Sequence, residues 1–433
     1  MQTDTTAKGY ALTPGHRTYI FVLLCLLYFF DGLDRYVVAS VFPYIKNEFA
    51  LTDMQSGMLV STVYWSILIL VIPASIIIDR WSRRKTISIM AIIWSIGSIA
   101  CIAINNFAQL FTARTILGFG EAGYAAGGQA MITGMYPAEK RARMLGIFGA
   151  SAFVANAVAA ALGGFIAVRW GWRSVFGLTA LPGLAVAIMF FFIKDYKTVE
   201  LIKTVKEATT GIASKVKMKA GDAAKEFLRR PTLPLTYCGM GFVQFVAVAG
   251  ITWLPTYFNR TAGLPMDQAG LRTASILLLT IVGAPLGGYL SDLWVKKKIN
   301  SRLPFATVTT LVAALFSFLG FVIFQGTVQY ICLLCLGLTM TLFTGAAVAV
   351  TQEVAHPGLR AISGGLSVVA TSLIGGSFSP IVIGAISDSA GIQTAMKLLP
   401  AFLCLAAAFF LVGSFCFMRD YNRVEKIELK AES

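Results

Sequence analysis

Apolar runs of about twenty residues, separated by short polar connections, recur from Thr18 almost to the C-terminus. A helix rising about 1.5 Å per residue needs a run of that length to cross roughly 30 Å of hydrocarbon. Read on this period, the chain predicts an all-α membrane protein with twelve transmembrane helices, over 18–43, 54–78, 86–104, 109–134, 144–167, 174–193, 233–257, 269–290, 304–325, 328–353, 364–387 and 396–418. One connection differs from the rest. The stretch 195–231 is long, Lys-rich and without a sustained apolar run, and it divides the spans six and six. Two readings of it stay open: a solvated linker, or an amphipathic helix on the inner leaflet with Lys203, Lys206, Lys215, Lys217 and Lys219 facing anionic headgroups.

Composition agrees with this pattern. Of 433 residues, 57% are hydrophobic and only 13% are charged. Mean hydropathy is +0.73, more apolar surface than a soluble fold of this size can hide. The net charge of +15 would suggest nucleic acid in a soluble protein, but here it follows topology. An even number of spans puts both termini on one side. That side also carries Arg80–Lys85, Lys140–Arg143, the Lys-rich central stretch, Lys296–Arg302 and Arg360. The other side has only Lys46, Arg169, Arg173, Arg260, Arg272 and Lys397. The positive-inside rule therefore places both termini in the cytoplasm and removes the case for nucleic acid. The expected organisation is a cytoplasmic N-terminus 1–17, a six-helix bundle 18–194, a cytoplasmic linker 195–231, a second six-helix bundle 232–418 and a cytoplasmic tail 419–433.

The two halves repeat. Ser75-Ile-Ile-Ile-Asp79-Arg80-Trp81-Ser82-Arg83-Arg84-Lys85 follows span 2, and Gly288-Tyr-Leu-Ser-Asp292-Leu293-Trp294-Val295-Lys296-Lys297-Lys298 follows span 8. Asp, Trp and the basic triplet correspond at one constant offset. Pro137 before span 5 likewise matches Pro357 before span 11. Two similar six-helix halves are the mark of a transporter built by duplication, with its site near the membrane midplane.

Charges inside the spans are few and expensive. Each costs roughly 2.5–3.5 kcal/mol even on a lenient insertion scale, so it is a functional candidate by default. Asp31 and Asp34 are three apart, on one face of helix 1. Arg35 adjoins Asp34 but points to another side. Arg114 and Glu121 lie two turns apart on one face of span 4. The depths are compatible with one cluster. Burial and a neighbouring arginine act in opposite senses on a carboxyl group, which suits proton coupling, and paired acids titrate as a set. Asp34 and Glu121 are the expected proton carriers, with Asp31 tuning Asp34. Arg114 is expected to pair with a carboxylate or bind a substrate anion, a task that suits the guanidinium fork better than a lysine. A static, charge-neutral structural network is the alternative. Arg35 is expected to reach a neighbouring helix or the outer headgroups. Tyr28, Tyr124, Gln129, Asn156, Gln244, Trp253 and Tyr257 are candidate cavity lining, each also explicable as an interhelical hydrogen bond or an interface aromatic.

No catalytic nucleophile–base pair and no nucleotide-binding motif is evident. Both histidines (His16, His356) lie outside the spans, and the seven cysteines are isolated or, at Cys332 and Cys335, small apolar residues of one helix. The expectation is no enzyme, no metal and no cofactor beyond a proton gradient.

These motifs resemble the major facilitator superfamily. Its loop between helices 2 and 3 reads Gly-x3-Asp-Arg-x-Gly-Arg-Arg. This chain keeps Asp79, Arg80, Arg83 and Arg84, with Ser75 and Ser82 in place of the glycines. Arg114-Thr-Ile-Leu-Gly118-Phe-Gly120 matches the helix-4 motif, and Gly171-Trp172-Arg173 with Phe176 also looks like the family. The resemblance implies two pseudo-symmetric six-helix bundles, with helices 1 and 4 lining a central cavity. It also implies a gating role for Asp79, Arg80, Arg83, Arg84 and Asp292, whose charges pair across the half-to-half interface in one access state.

Leu33-Asp34-Arg35-Tyr36 together with Arg114 and Gly120-Glu121-Ala122 is similar to two groups within it. One is the anion:cation symporters, which carry sugar acids and other organic anions with protons. The other is the spinster-like transporters of lysolipids or sphingoid lipids. Spinster-like proteins often have Asn where this chain has Asp31. Ala155, Ala159 and Ala160 stand where the antiporter signature has Gly, Gly and Pro, which favours symport. The expected function is therefore proton-coupled symport of a small organic anion, in a monomer in a prokaryotic inner membrane. A lysolipid transporter and a non-transporting ligand sensor are the alternatives.

Overall fold

The computed structural model describes residues 13–193, 229–296, 300–355 and 360–424. Most of the expected linker, the end of the tail, Lys297, Lys298, His356 and Pro357 lie outside the described residues, as do the side chains of Asp79, Arg80 and Arg360. Every regular element among the described residues is helical. Nine segments of the described residues are long and apolar enough by themselves to cross a membrane.

The first half contains α1 (Pro14–Tyr36), a 3-10 turn (Val37–Val41), α2 (Phe42–Phe49), α3 (Asp53–Arg80), α4 (Arg83–Ala100), α5 (Phe107–Glu121), α6 (Tyr124–Met135), α7 (Ala138–Trp170) and α8 (Trp172–Phe191). The second contains α9 (Thr232–Ala262), α10 (Met266–Val295), α11 (Arg302–Phe318), α12 (Gly326–Thr339), α13 (Thr344–Glu353), α14 (Arg360–Thr371), α15 (Ser379–Lys397) and α16 (Leu399–Asn422). The chain forms two compact units, Met1–Lys215 with Gly263–Ala274, and Val216–Ala262 with Ser275–Ser433.

Local sequence sets the helix ends. Thr52 and Gln55 form a reciprocal capping box at the start of α3, which satisfies two orphan donors at once. The Ser82 hydroxyl accepts from Lys85 N–H at the start of α4, so the serine that replaces a motif glycine serves as a cap. Asn106 does the same for α5.

Each unit repeats one packing scheme. In the first, α1 packs on α7 and α8, and α4 packs on α5 and α8. In the second, α9 packs on α16 and on the segment around α14, and α11 packs on α12 and α16. These are the same pairs counted by span.

Three expectations about spans need correction. The helical path of span 1 does not end near residue 43 but continues through the 3-10 turn and α2 to Phe49. Spans 4 and 10 are each broken in two, between Glu121 and Tyr124 and between Thr339 and Thr344. Unbroken apolarity hid both breaks, because hydropathy measures burial and not hydrogen-bond continuity. Spans 9 and 11 contain π-turns, at Leu319–Ile323 and Ser372–Ser377, which are wider than an α-turn and are common at functional helices.

Close approach in the second unit depends on glycine. A Cβ on Gly287 would fall on the Leu342 carbonyl oxygen, whereas one on Gly288 would meet nothing within 4 Å. Overpacking of this kind costs about 1–3 kcal/mol. Gly287→Ala is therefore expected to lower the melting temperature in detergent and Gly288→Ala to leave it unchanged. Equal melting of the two variants would contradict the packing described.

On α2, beyond the apolar run of span 1, the Glu48 carboxylate accepts from Trp172 Nε1 at 2.7 Å and from Arg173 Nη1 at 2.9 Å. Arg173 and Trp172 hold its carboxyl below the usual range. A depressed pKa contributes stability above the ordinary carboxylate value and loses it as pH falls through the folded value. Glu48→Gln should therefore melt slightly below the wild type near neutral pH, and the two curves should converge on acidification. The effect is small, because the paired side chains of Arg173 and Glu48 remain 34% and 40% exposed. A pH-independent offset would refute this.

Candidate functional site

The charged residues expected in spans 1 and 4 do meet, inside the first unit. Asp31, Asp34, Arg114 and Glu121 are all buried, at 2%, 0%, 0% and 4% exposure. Arg35 Nε donates to Glu121 Oε2 at 2.7 Å, and its Nη2 donates to Asp31 Oδ2 at 3.0 Å. One guanidinium thus holds two carboxyl groups on different helices. Its side chain keeps 19% exposure, and it also lies over the Tyr64 ring, 5.6 Å from the centroid.

This pairing differs from the expected one. Arg114 makes no ion pair among the described residues. Its Nε donates to the Leu59 carbonyl at 3.1 Å, Nη1 to Asp34 O at 2.7 Å and Nη2 to Arg35 O at 2.5 Å. The physical reason is where the backbone runs. The Leu59 carbonyl lies inside α3, whereas the Asp34 and Arg35 carbonyls lie in the last turn of α1, where a helix end leaves C=O groups without intrahelical donors. Arg114 satisfies them and so fixes the stretch of α1 that carries Asp34 and Arg35. The residue expected to tune Asp34, Asp31, instead shares Arg35 with Glu121. Asp34 accepts from the Ser98 hydroxyl on α4 at 3.2 Å.

The cluster has three carboxyl groups against two guanidiniums. Fully ionised, it would carry one net negative charge in a dry interior, where an uncompensated charge is costly. One oxygen of each acid, Asp31 Oδ1, Asp34 Oδ2 and Glu121 Oε1, is buried without a hydrogen-bond partner. Those are the atoms on which a proton would sit. The geometry can therefore take up and release protons while a partly exposed guanidinium changes partners.

The other expected residues fall into three groups. Tyr28 stacks on Phe148 with centroids 4.5 Å apart and lies 5.9 Å from Tyr124, and half-buried Asn156 sits beside Gly32 of α1. These two line the same unit. Tyr124, Trp253 and Tyr257 are buried and hydrogen-bonded, as the interhelical alternative has them. Tyr124 donates to Leu24 O at 2.5 Å, Trp253 Nε1 to Pro380 O at 3.2 Å, and Tyr257 accepts from Gln329 at 2.7 Å. Gln244 packs under Gly375, and Gln129 is exposed on α6.

Of the gating residues, Arg84 donates to Ile193 O at 2.6 Å, and Arg83 lies 3.5 Å from Ala130 O. Asp292 accepts from Arg302, whose Nε also donates to Glu353 at 2.8 Å. Sequence reasoning missed Arg302 and Glu353, and also missed Tyr36, whose hydroxyl meets that of Tyr64. The repeat of Asp292 with Asp79 was the only signal, and it named one member of the Arg302 group.

The chain matches the model of the Major Facilitator Superfamily over residues 24–380. It is 25% identical to the hexuronate transporter of Bacillus subtilis over 90% of this chain and 92% of that one. Identity is 26% with the D-galactonate transporter of Escherichia coli, covering 92% and 95%, and 26% with protein spinster homolog 1 of Xenopus laevis, covering 95% and 82%. Among solved structures, an inward-facing, unoccupied bacterial homologue of the human lysosomal transporter spinster superposes with a TM-score of 0.82 at 24% identity, over 94% of this chain and 99% of that one. A twelve-helix, two-bundle architecture, a buried charge cluster between α1 and α5 and full-length similarity to transporters converge on one conclusion: this chain is an integral membrane transporter, not an enzyme, and belongs to the major facilitator superfamily.

Proposed function

We propose that the protein is a proton-coupled symporter of a small organic anion, a sugar acid or related carboxylate, working by alternating access with both termini in the cytoplasm. The observation that carries this reading is Arg35, a partly exposed guanidinium held by two buried carboxyl groups. A proton on Glu121 removes one of the two charges that hold Arg35 and loosens it toward a substrate carboxylate. Glu121 and Asp34 are the proton-carrying groups of this scheme. Arg114 fixes the α1 backbone that presents Arg35, so it positions the anion binder. Similarity to transporters named for hexuronate and D-galactonate supports the substrate class.

A lysolipid substrate is the second reading, favoured by similarity to spinster homologues. Competition separates the two. Purified protein in liposomes should show galactonate or glucuronate counterflow that other sugar acids inhibit and lysophosphatidylcholine does not. Inhibition by lysolipid with no sugar-acid counterflow would reverse the assignment.

A further inference from the structure

Asp31 has no part in the scheme above beyond sharing Arg35, and its geometry gives it one. Glu121 Oε2 and Asp31 Oδ2 grip the same guanidinium at 2.7 and 3.0 Å, and the side chains of both acids are almost fully buried, at 0% and 3% exposure. Arg114 adds a second positive charge to the cluster, but each of its three nitrogens already donates to a carbonyl. With all three acids ionised, an arriving anion would bring the cluster to four negative charges against two positive ones in low dielectric, and two protons restore the balance. Neutralising Glu121 alone leaves Arg35 still paired to Asp31. The other groups in electrostatic reach are Tyr28 and Asp34 on α1, Tyr64 on α3, Arg114 on α5 and Tyr124 on α6, and of these Arg114 is positive. Asp31 Oδ1 and Glu121 Oε1 are each buried without a partner, so each acid has its own vacant oxygen for a proton.

From this arrangement, which rests on the symport reading, we infer that Asp31 is a proton carrier in its own right. The anion takes Arg35 only when Asp31 and Glu121 are both neutral, so at least two protons accompany each monovalent anion and transport carries net positive charge.

The test uses the full-length protein in proteoliposomes with D-galactonate as probe, at fixed pH gradient, with the membrane potential set by potassium and valinomycin. Each net charge moved is worth about 50-fold in accumulation per 100 mV, so wild-type accumulation should rise steeply with inside-negative potential. Asp31→Asn should still couple galactonate to protons while its ratio falls by one proton per anion, which flattens the potential dependence by the same factor. Wild-type coupling that is insensitive to potential, or an unchanged ratio in Asp31→Asn, overturns the inference and leaves the symport reading standing. If the variant fails to fold, wild-type coupling that is insensitive to potential still overturns the inference. Galactonate uptake without any proton movement in the wild type would remove the symport reading itself, and this inference with it.

Discussion

Glu121→Gln is expected to cut uphill anion uptake sharply while leaving anion exchange intact. Gln keeps the shape and can still accept from Arg35, so the buried cluster retains its packing, but the position no longer carries a proton. Each coupled proton is worth about 1.4 kcal/mol per pH unit of gradient, or about tenfold in accumulation. Under a gradient of about two units, losing one proton therefore costs about a hundredfold in the concentration ratio reached. Counterflow needs no proton and should continue. The measurement is accumulation of labelled anion at steady state beside counterflow in the same vesicles. Accumulation equal to the wild type would show that Glu121 belongs to a static network.

Removal of the Arg114 side chain should have the largest effect on stability. Arg114→Ala takes away donors to three carbonyls on two helices and leaves the buried acids with one guanidinium in place of two. Breaking a buried charged network by deleting one partner costs about 3–5 kcal/mol. That is a large share of the stability of an ordinary domain. The expected result is failure to give a monodisperse peak after detergent extraction, or a much lower denaturant midpoint. Arg114→Lys should recover only part of the loss, because an ammonium cannot present the planar fork that reaches Leu59, Asp34 and Arg35 together. A stable Arg114→Ala protein that had lost only substrate binding would instead restore Arg114 to the role of anion binder.

The spans, their division into halves and the residues of the charge cluster were legible because each has a local signal: run length, a repeated Asp-x-Trp loop, and charges where none should lie. The pairing inside the cluster was less legible. Asp31 and Asp34 were read together because they share a helix face. Asp31 and Arg35 are also neighbours, at i and i+4, and there opposite charges attract where two acids repel. Electrostatics selects the second pairing, and Glu121 joins it from α5. Tyr64 and Ser98 reach the site from helices whose placement no spacing rule gives. Tyr124, Trp253 and Tyr257 showed the reverse difficulty. An aromatic with a polar tip looks the same in sequence whether it lines a cavity or donates to a backbone carbonyl in the core. The breaks in spans 4 and 10 were invisible for the reason that makes them tolerable, since neighbouring helices there cover the backbone.

The most direct test of proton–anion symport is the external pH of a weakly buffered suspension of wild-type proteoliposomes when D-galactonate is added with no gradient present. The account predicts external alkalinisation that follows the anion inward and falls, per anion moved, in Glu121→Gln. Entry of labelled galactonate with no pH change would contradict it.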